Sequence, residues 1–283
     1  MNNIGTKEFF ELLEREIDFQ KEYEKIEDKI INDEFMLSLE AVIEKDFSDW
    51  PFRGNFISFW ELRCHLGFTY TESDVYGEDY EPDRKHIKMD DFLLYSEMML
   101  NMMQLLETKH ELTYASKIRL VKDTILYDLE KINHEMVKQK DGRLIIVQKD
   151  AAVSAVVDLV EPDLAQIILE YHHYLLKGDL GAKKDILRKL ADALEPKRKE
   201  LDNLNKTLCS DFFFLVNKMN IRHNNCDPSD KSKYVEKFDK MTKQQKEAWY
   251  DGIFQQGLML FLTIEQAKRT KEIAGFKAAL NEK

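Results

Sequence analysis

Proline, glycine and cysteine are scarce in this chain of 283 residues, with 5, 10 and 3 copies respectively. Proline and glycine punctuate a chain, so their scarcity predicts long uninterrupted elements. The cysteines, Cys64, Cys209 and Cys226, are odd in number and lack a CxxC pair. This excludes a disulfide framework and a thiolate zinc site, and fits reduced thiols. No apolar run approaches the roughly 20 residues needed to cross a bilayer, so no membrane role is expected. The opening residues, MNNIGTKEFFELLEREID, are acidic and amphipathic, unlike a signal peptide, and a cytoplasmic location is expected. Also missing are GxSxG, HExxH and P-loop patterns. The carboxylates between Glu72 and Glu81 are too irregular for an EF-hand. Glu61 and His65, four residues apart, make one weak ligand pair. Neither a metal nor an organic cofactor is expected.

The charge that is present is unevenly spread. Residues 1–95 hold 11 Lys/Arg against 24 Asp/Glu, a balance of −13, whereas the remaining 188 residues hold 31 against 29, a balance of +2. An acidic surface repels a nucleic-acid backbone, so any RNA contact belongs to the back half. The front is a solvated helix face, a docking surface for a basic protein partner, or a mask over a basic site.

Periodicity predicts a mainly α protein with one small β-hairpin. An amphipathic helix is expected over 6–31, with Thr6 as N-cap and Phe9, Leu12, Leu13, Ile17, Phe19 and Ile26 along one stripe. A second helix covers 34–45, and a short aromatic one lies within 52–67, ending at Gly67. The acidic stretch 68–88 reads as a linker or lid. Helices follow over 90–107, with Asp90 as N-cap, and over 113–133. The first carries Met98, Met99, Met102 and Met103, read as core filler or a binding groove. Asp141-Gly142, between two short runs in HEMVKQKDGRLIIVQ, predicts the hairpin, which needs helices to lie against. Beyond it, Pro162 opens a helix that holds His172 and His173 and stops at Gly178. Another helix ends before Pro196, and one more runs over 197–221. Thr242 and Gln245 form a capping box for a last helix reaching about 270. The expected domains are an acidic helical accessory region, 1–125, and a hairpin plus helical bundle, 126–283.

One stretch attracts a chemical reading. NIRHNN, residues 220–225, sits where an apolar helix ends. Histidine moves protons near neutral pH, and arginine stabilises charge on a phosphate. The asparagines add donors for a phosphate or a base edge. Residues 196–240 carry 10 Lys/Arg against 7 Asp/Glu. The same residues also suit a helix end, because cations favour the C-terminal dipole and asparagine favours the left-handed cap position.

Residues 127–225 carry a further pattern: KQKDGRLIIVQKD, then VEPDLAQIILEY, HHYLLKGDLGAKKDILRKLADALEPKRKEL and FLVNKMNIRHNN. This layout resembles the HEPN-type domain of bacterial abortive-infection (anti-phage defence) proteins. The resemblance implies an all-α bundle that forms a homodimer and cleaves RNA without a metal. Arg222 and His223 would then be catalytic. His223 would move the proton of the attacking ribose 2′-OH, and Arg222 would stabilise the phosphorane. Lys218, Asn224 and Asn225 would hold the substrate. The motif of that family places a histidine after the arginine with four to six residues between them, and here those positions are Asp227, Pro228 and Ser229. His223 is the last histidine in the chain. The alternative is a non-catalytic protein that senses or docks a protein partner through its acidic front and its methionine-bearing helix.

Overall fold

The computed structural model describes residues 17–32, 37–68, 86–110 and 113–281. Thr6, Phe9, Leu12 and Leu13, and nearly all of the acidic stretch 68–88, lie outside them. Among the described residues the protein is mainly α-helical, with a single two-stranded antiparallel sheet. The chain forms two compact units, Met1–Ile146 and Val147–Lys283.

In unit 1, α1 spans Phe19–Ile31, α2 Leu39–Asp46, α3 Phe59–Leu66, α4 Met89–Lys109 and α5 Ala115–Lys131. The helix expected over 6–31 is not continuous, because Ile17 and Asp18 are non-helical and the Asp18 carboxylate caps α1 by accepting from Lys21 N–H. A capping carboxylate satisfies one of the donors that a helix start leaves open. Ser38 and Ser58 cap α2 and α3 in the same way. Gly67 ends α3 as expected, with φ of +80°. Lys88, not Asp90, is the cap position of α4, and the Asp91 carboxylate accepts from Lys88 N–H at 3.2 Å. Met98, Met99, Met102 and Met103 of α4 are buried, so that face is core and not a groove.

The hairpin pairs β1, His134–Lys138, with β2, Leu144–Gln148. Gly142 takes φ of +94° in its turn, a conformation glycine adopts without a Cβ penalty. The sequence-based boundary between 125 and 126 puts the hairpin in the second domain, yet the units divide at Ile146/Val147. The reason lies in the edge of β2. Asn101 of α4 donates to Leu144 O at 2.8 Å and accepts from Leu144 N–H at 3.0 Å, while Glu97 accepts from Ile146 N–H at 2.8 Å. Side chains of α4 thus pair the backbone that an edge strand otherwise leaves open.

In unit 2, α6 spans Ala151–Val157, α7 Pro162–Glu170, α8 Leu180–Leu194, α9 Arg198–Leu204, α10 Lys206–Lys218, α11 Glu236–Asp239 and α12 Lys243–Asn281. Pro162 opens α7 and Gly178 takes φ of +78°. His172 and His173, expected within a helix, lie beyond the end of α7. Val147 and His173 form an antiparallel bridge, and Gln148 N–H donates to His172 O at 3.1 Å. Asn205 splits the helix expected over 197–221, because its backbone is non-helical and its side chain caps α10 through Leu208 N–H. The Thr242–Gln245 capping box is present, at 2.9 and 3.2 Å. The helix it opens runs to Asn281, well past 270.

Tyr250, Ile253, Phe254, Leu258, Phe261 and Ile264 of α12 enter the core of unit 2 with residues of α8 and α10. At Gly257 the packing is tightest, since a Cβ there would lie 2.4 Å from Leu190 Cδ2 and 3.2 Å from Phe212. At Gly252, five residues earlier, a Cβ would meet nothing within 4 Å. The two glycines predict opposite results in chemical denaturation. Gly252→Ala should stabilise by up to about 1 kcal/mol through helix propensity. Gly257→Ala should destabilise, because overpacking costs about 1–3 kcal/mol and exceeds that gain.

Candidate functional site

The NIRHNN segment closes the end of α10. Met219 N–H donates to Leu215 O at 2.8 Å, and Asn220 then turns the chain with φ of +59°. The left-handed residue is therefore Asn220 and not the later asparagines. Arg222 N–H returns to Val216 O at 3.2 Å, and Ile221 is buried in the core.

Asn225 is 1 % exposed. Its side-chain oxygen accepts from Asn220 N–H at 2.9 Å, and its own N–H donates to the Asn220 side chain at 3.1 Å. Its amide nitrogen donates to Lys233 O at 2.6 Å, while its carbonyl accepts from Val235 N–H at 2.9 Å. Each of its polar atoms thus has a partner inside the loop 220–235, and its burial keeps the side chain from a substrate. Asp227 and Asp230 fold the middle of this loop by accepting from Ser229 and Ser232 N–H.

Arg222 reaches back across the fold to the end of α8. Its guanidinium donates to Glu195 at 2.5 Å and to Asp192 at 3.2 Å. Arg198 also pairs with Glu195, at 3.4 Å. Both guanidinium groups lie within 6 Å of the Phe213 ring centre, at 5.6 Å for Arg222 and 4.6 Å for Arg198, where a ring face attracts a cation. Burial pushes the Glu195 carboxyl up, but the hydrogen bond and charge of Arg222 outweigh it and hold the group below the usual carboxylate value. A phosphate approaching Arg222 would have to compete with two carboxylates already in place.

His223, Asn224 and Lys218 are exposed. The structure therefore brings the five sequence-predicted residues to one helix end but divides them, with three facing solvent, Arg222 clamped and Asn225 sealed inside. Cys226, next in the chain, is half-buried, and burial raises its thiol, which opposes nucleophilic use.

A second polar cluster in unit 2 has no counterpart among the sequence-based candidates. Lys183 of α8, 7 % exposed, lies 2.8 Å from both Glu247 and Asp251 of α12. The Tyr171 hydroxyl donates to Asp251 at 2.9 Å, and Gly178 N–H donates to Glu247 at 2.7 Å. Tyr171 stacks on Phe254 with centroids 3.8 Å apart. Next to it, His172 Nε2 lies 3.5 Å from Asp150, whose carboxylate also caps α6 and accepts from Gln255 at 2.8 Å. Burial holds the His172 imidazole below its usual value despite the carboxylate of Asp150. The cluster ties α6, α8 and α12 together. A sequence signal for it exists: Lys183 stands in the apolar stripe Ile186, Leu187, Leu190, Leu194, where a lysine is out of place unless paired.

Glu61 and His65 of α3 each engage another partner. Glu61 accepts from Ile57 N–H at 2.8 Å, and the His65 ring sits 5.0 Å from that of Phe56. Among the described residues, no group of three or more His, Cys, Asp or Glu side chains is placed to hold a metal. No family model, no curated protein and no solved structure matches the chain.

Proposed function

We propose that the chain is a non-catalytic binding protein that docks a basic protein partner through unit 1. The observation that carries this reading is the exposure of two large apolar side chains among carboxylates. Ile57 is 80 % exposed and Trp60 64 %. Glu61 holds the backbone N–H of Ile57, and Glu44 holds that of Trp60, at 2.8 and 2.9 Å. An exposed tryptophan with an apolar neighbour is the kind of anchor on which binding energy concentrates. A rim of carboxylates selects a partner with lysine or arginine around its own apolar group. The balance of −13 over residues 1–95 adds long-range attraction of the same sign.

The test is a fluorescence titration of the full chain with a synthetic Leu/Lys amphipathic peptide, at low and high salt. The expected result is saturable binding that weakens as salt rises. It should weaken at least tenfold in Ile57→Ser/Trp60→Ser and stay unchanged in Arg222→Ala/His223→Ala. Equal binding by wild type and Ile57→Ser/Trp60→Ser would sink the proposal.

The reading as a HEPN-like endoribonuclease of abortive-infection type is second. The exposure of His223, Asn224 and Lys218 at one helix end favours it. In that reading RNA meets the C-terminal half, and His223 alone handles the proton. The clamp on Arg222 weighs against it, because the cation that would stabilise the phosphorane already serves Glu195 and Asp192.

A further inference from the structure

The last helix outruns the core it helps to build. From Lys268 to Leu280 every residue of α12 is exposed, a rod of about 20 Å at 1.5 Å per residue. Its surface is not uniformly polar. Ile273, Phe276 and Leu280 are 45 %, 66 % and 57 % exposed, and their spacing of three and then four residues puts them on one stripe. A short helix with no tertiary contacts is marginal in water, and such a stripe marks what it is built to meet.

From this geometry we infer that the stripe is the seam of a parallel two-stranded coiled coil with a second copy of the chain. In heptad terms Ile273 and Leu280 take a positions and Phe276 takes d. The same register runs back through Met259, which is 53 % exposed, Leu262, which is partly buried, and Gln266. A polar residue at one a position favours a fixed register at some cost in stability. Arg269 falls at d, where its stem can cover the seam while its charge reaches water.

Charge selects the occupant and its direction. Glu272 is at g and Lys277 at e, five residues later, and neither pairs with another described residue. In a parallel pair g faces e of the following heptad on the other strand. Glu272 of each copy therefore meets Lys277 of the other, twice by symmetry. An antiparallel pair would set Glu272 near Ala279 and Lys277 near Thr270, with no such match. The face is thus complementary to itself in one orientation. The inference is independent of what unit 1 docks.

The experiment is sedimentation equilibrium on the full chain over a range of concentrations. A monomer–dimer equilibrium is expected. Phe276→Asp should weaken it at least tenfold while circular dichroism of the bundle stays native. Glu272→Lys and Lys277→Glu should each weaken it severalfold, and the combined swap should restore it. A monomer at all concentrations would overturn the inference, as would a dimer indifferent to Phe276→Asp. A monomer that instead binds vesicles of anionic lipid through the same residues would also overturn it, since the helix would then serve a membrane surface. If single and combined charge swaps act alike, the parallel register is wrong.

Discussion

Arg63→Met should be among the most destabilising single substitutions in unit 1. Arg63 is 3 % exposed and meets Glu27, 1 % exposed, at 2.5 Å, and Glu40 at 2.7 Å. It also donates to Phe68 O at 3.0 and 3.2 Å. Glu27 accepts a second, short hydrogen bond from the buried Tyr95 hydroxyl. Removing one partner of a buried ion pair strands the other, at a cost of about 3–5 kcal/mol. The pH dependence gives the cause away. Burial already raises the Glu27 carboxyl above its usual value, and loss of the cation raises it further. A folded state that holds a carboxyl with a raised pKa gains stability as pH falls through that folded pKa toward the lower, unfolded one. The deficit of Arg63→Met should therefore shrink on acidification, and Glu27→Gln/Arg63→Met should recover much of it at neutral pH. Urea denaturation across pH checks both. A deficit that ignores pH would point to lost packing and not to a stranded charge.

Asn225→Ala is the second large effect, in unit 2. It removes the acceptor of Asn220 N–H and the donor to Lys233 O, both inside the loop. Unpaired buried groups cost about 1–3 kcal/mol each, so the expected loss is roughly 2–4 kcal/mol. His223→Ala and Asn224→Ala, at exposed neighbours, should stay within about 0.5 kcal/mol. That contrast across three consecutive positions separates a loop lock from a substrate site. A substrate site would lose function at all three and little stability at any.

The elements that were legible in the sequence are those fixed by local chemistry. Asp141-Gly142 marked the hairpin turn, Pro162 the start of α7, Gly67 the stop of α3, and Thr242 with Gln245 the start of α12. What escaped depends on distant partners. His172 and His173 belong to a segment with helical periodicity, but their backbone bonds with Val147 and Gln148 win. The partners of Arg222 lie 27 and 30 residues back, on another helix, where no spacing rule reaches. Asp18 and Asn205 interrupt expected helices because a polar side chain can cap as easily as it can point to solvent. At the candidate site the residues themselves stood out at once as Arg, His and two Asn. Their division into clamped, buried and exposed is a matter of tertiary packing alone.

The most direct test of the central claim, that this helix end is architecture and the chain a binder, is RNA integrity. Purified full-length wild type and Arg222→Ala/His223→Ala, both shown to be folded, would be incubated with total bacterial RNA in the presence of a chelator. The account predicts intact RNA with both proteins and a lower midpoint of unfolding for the variant. Fragmentation by the wild type that disappears in the folded variant would contradict it, and would make Arg222 and His223 catalytic.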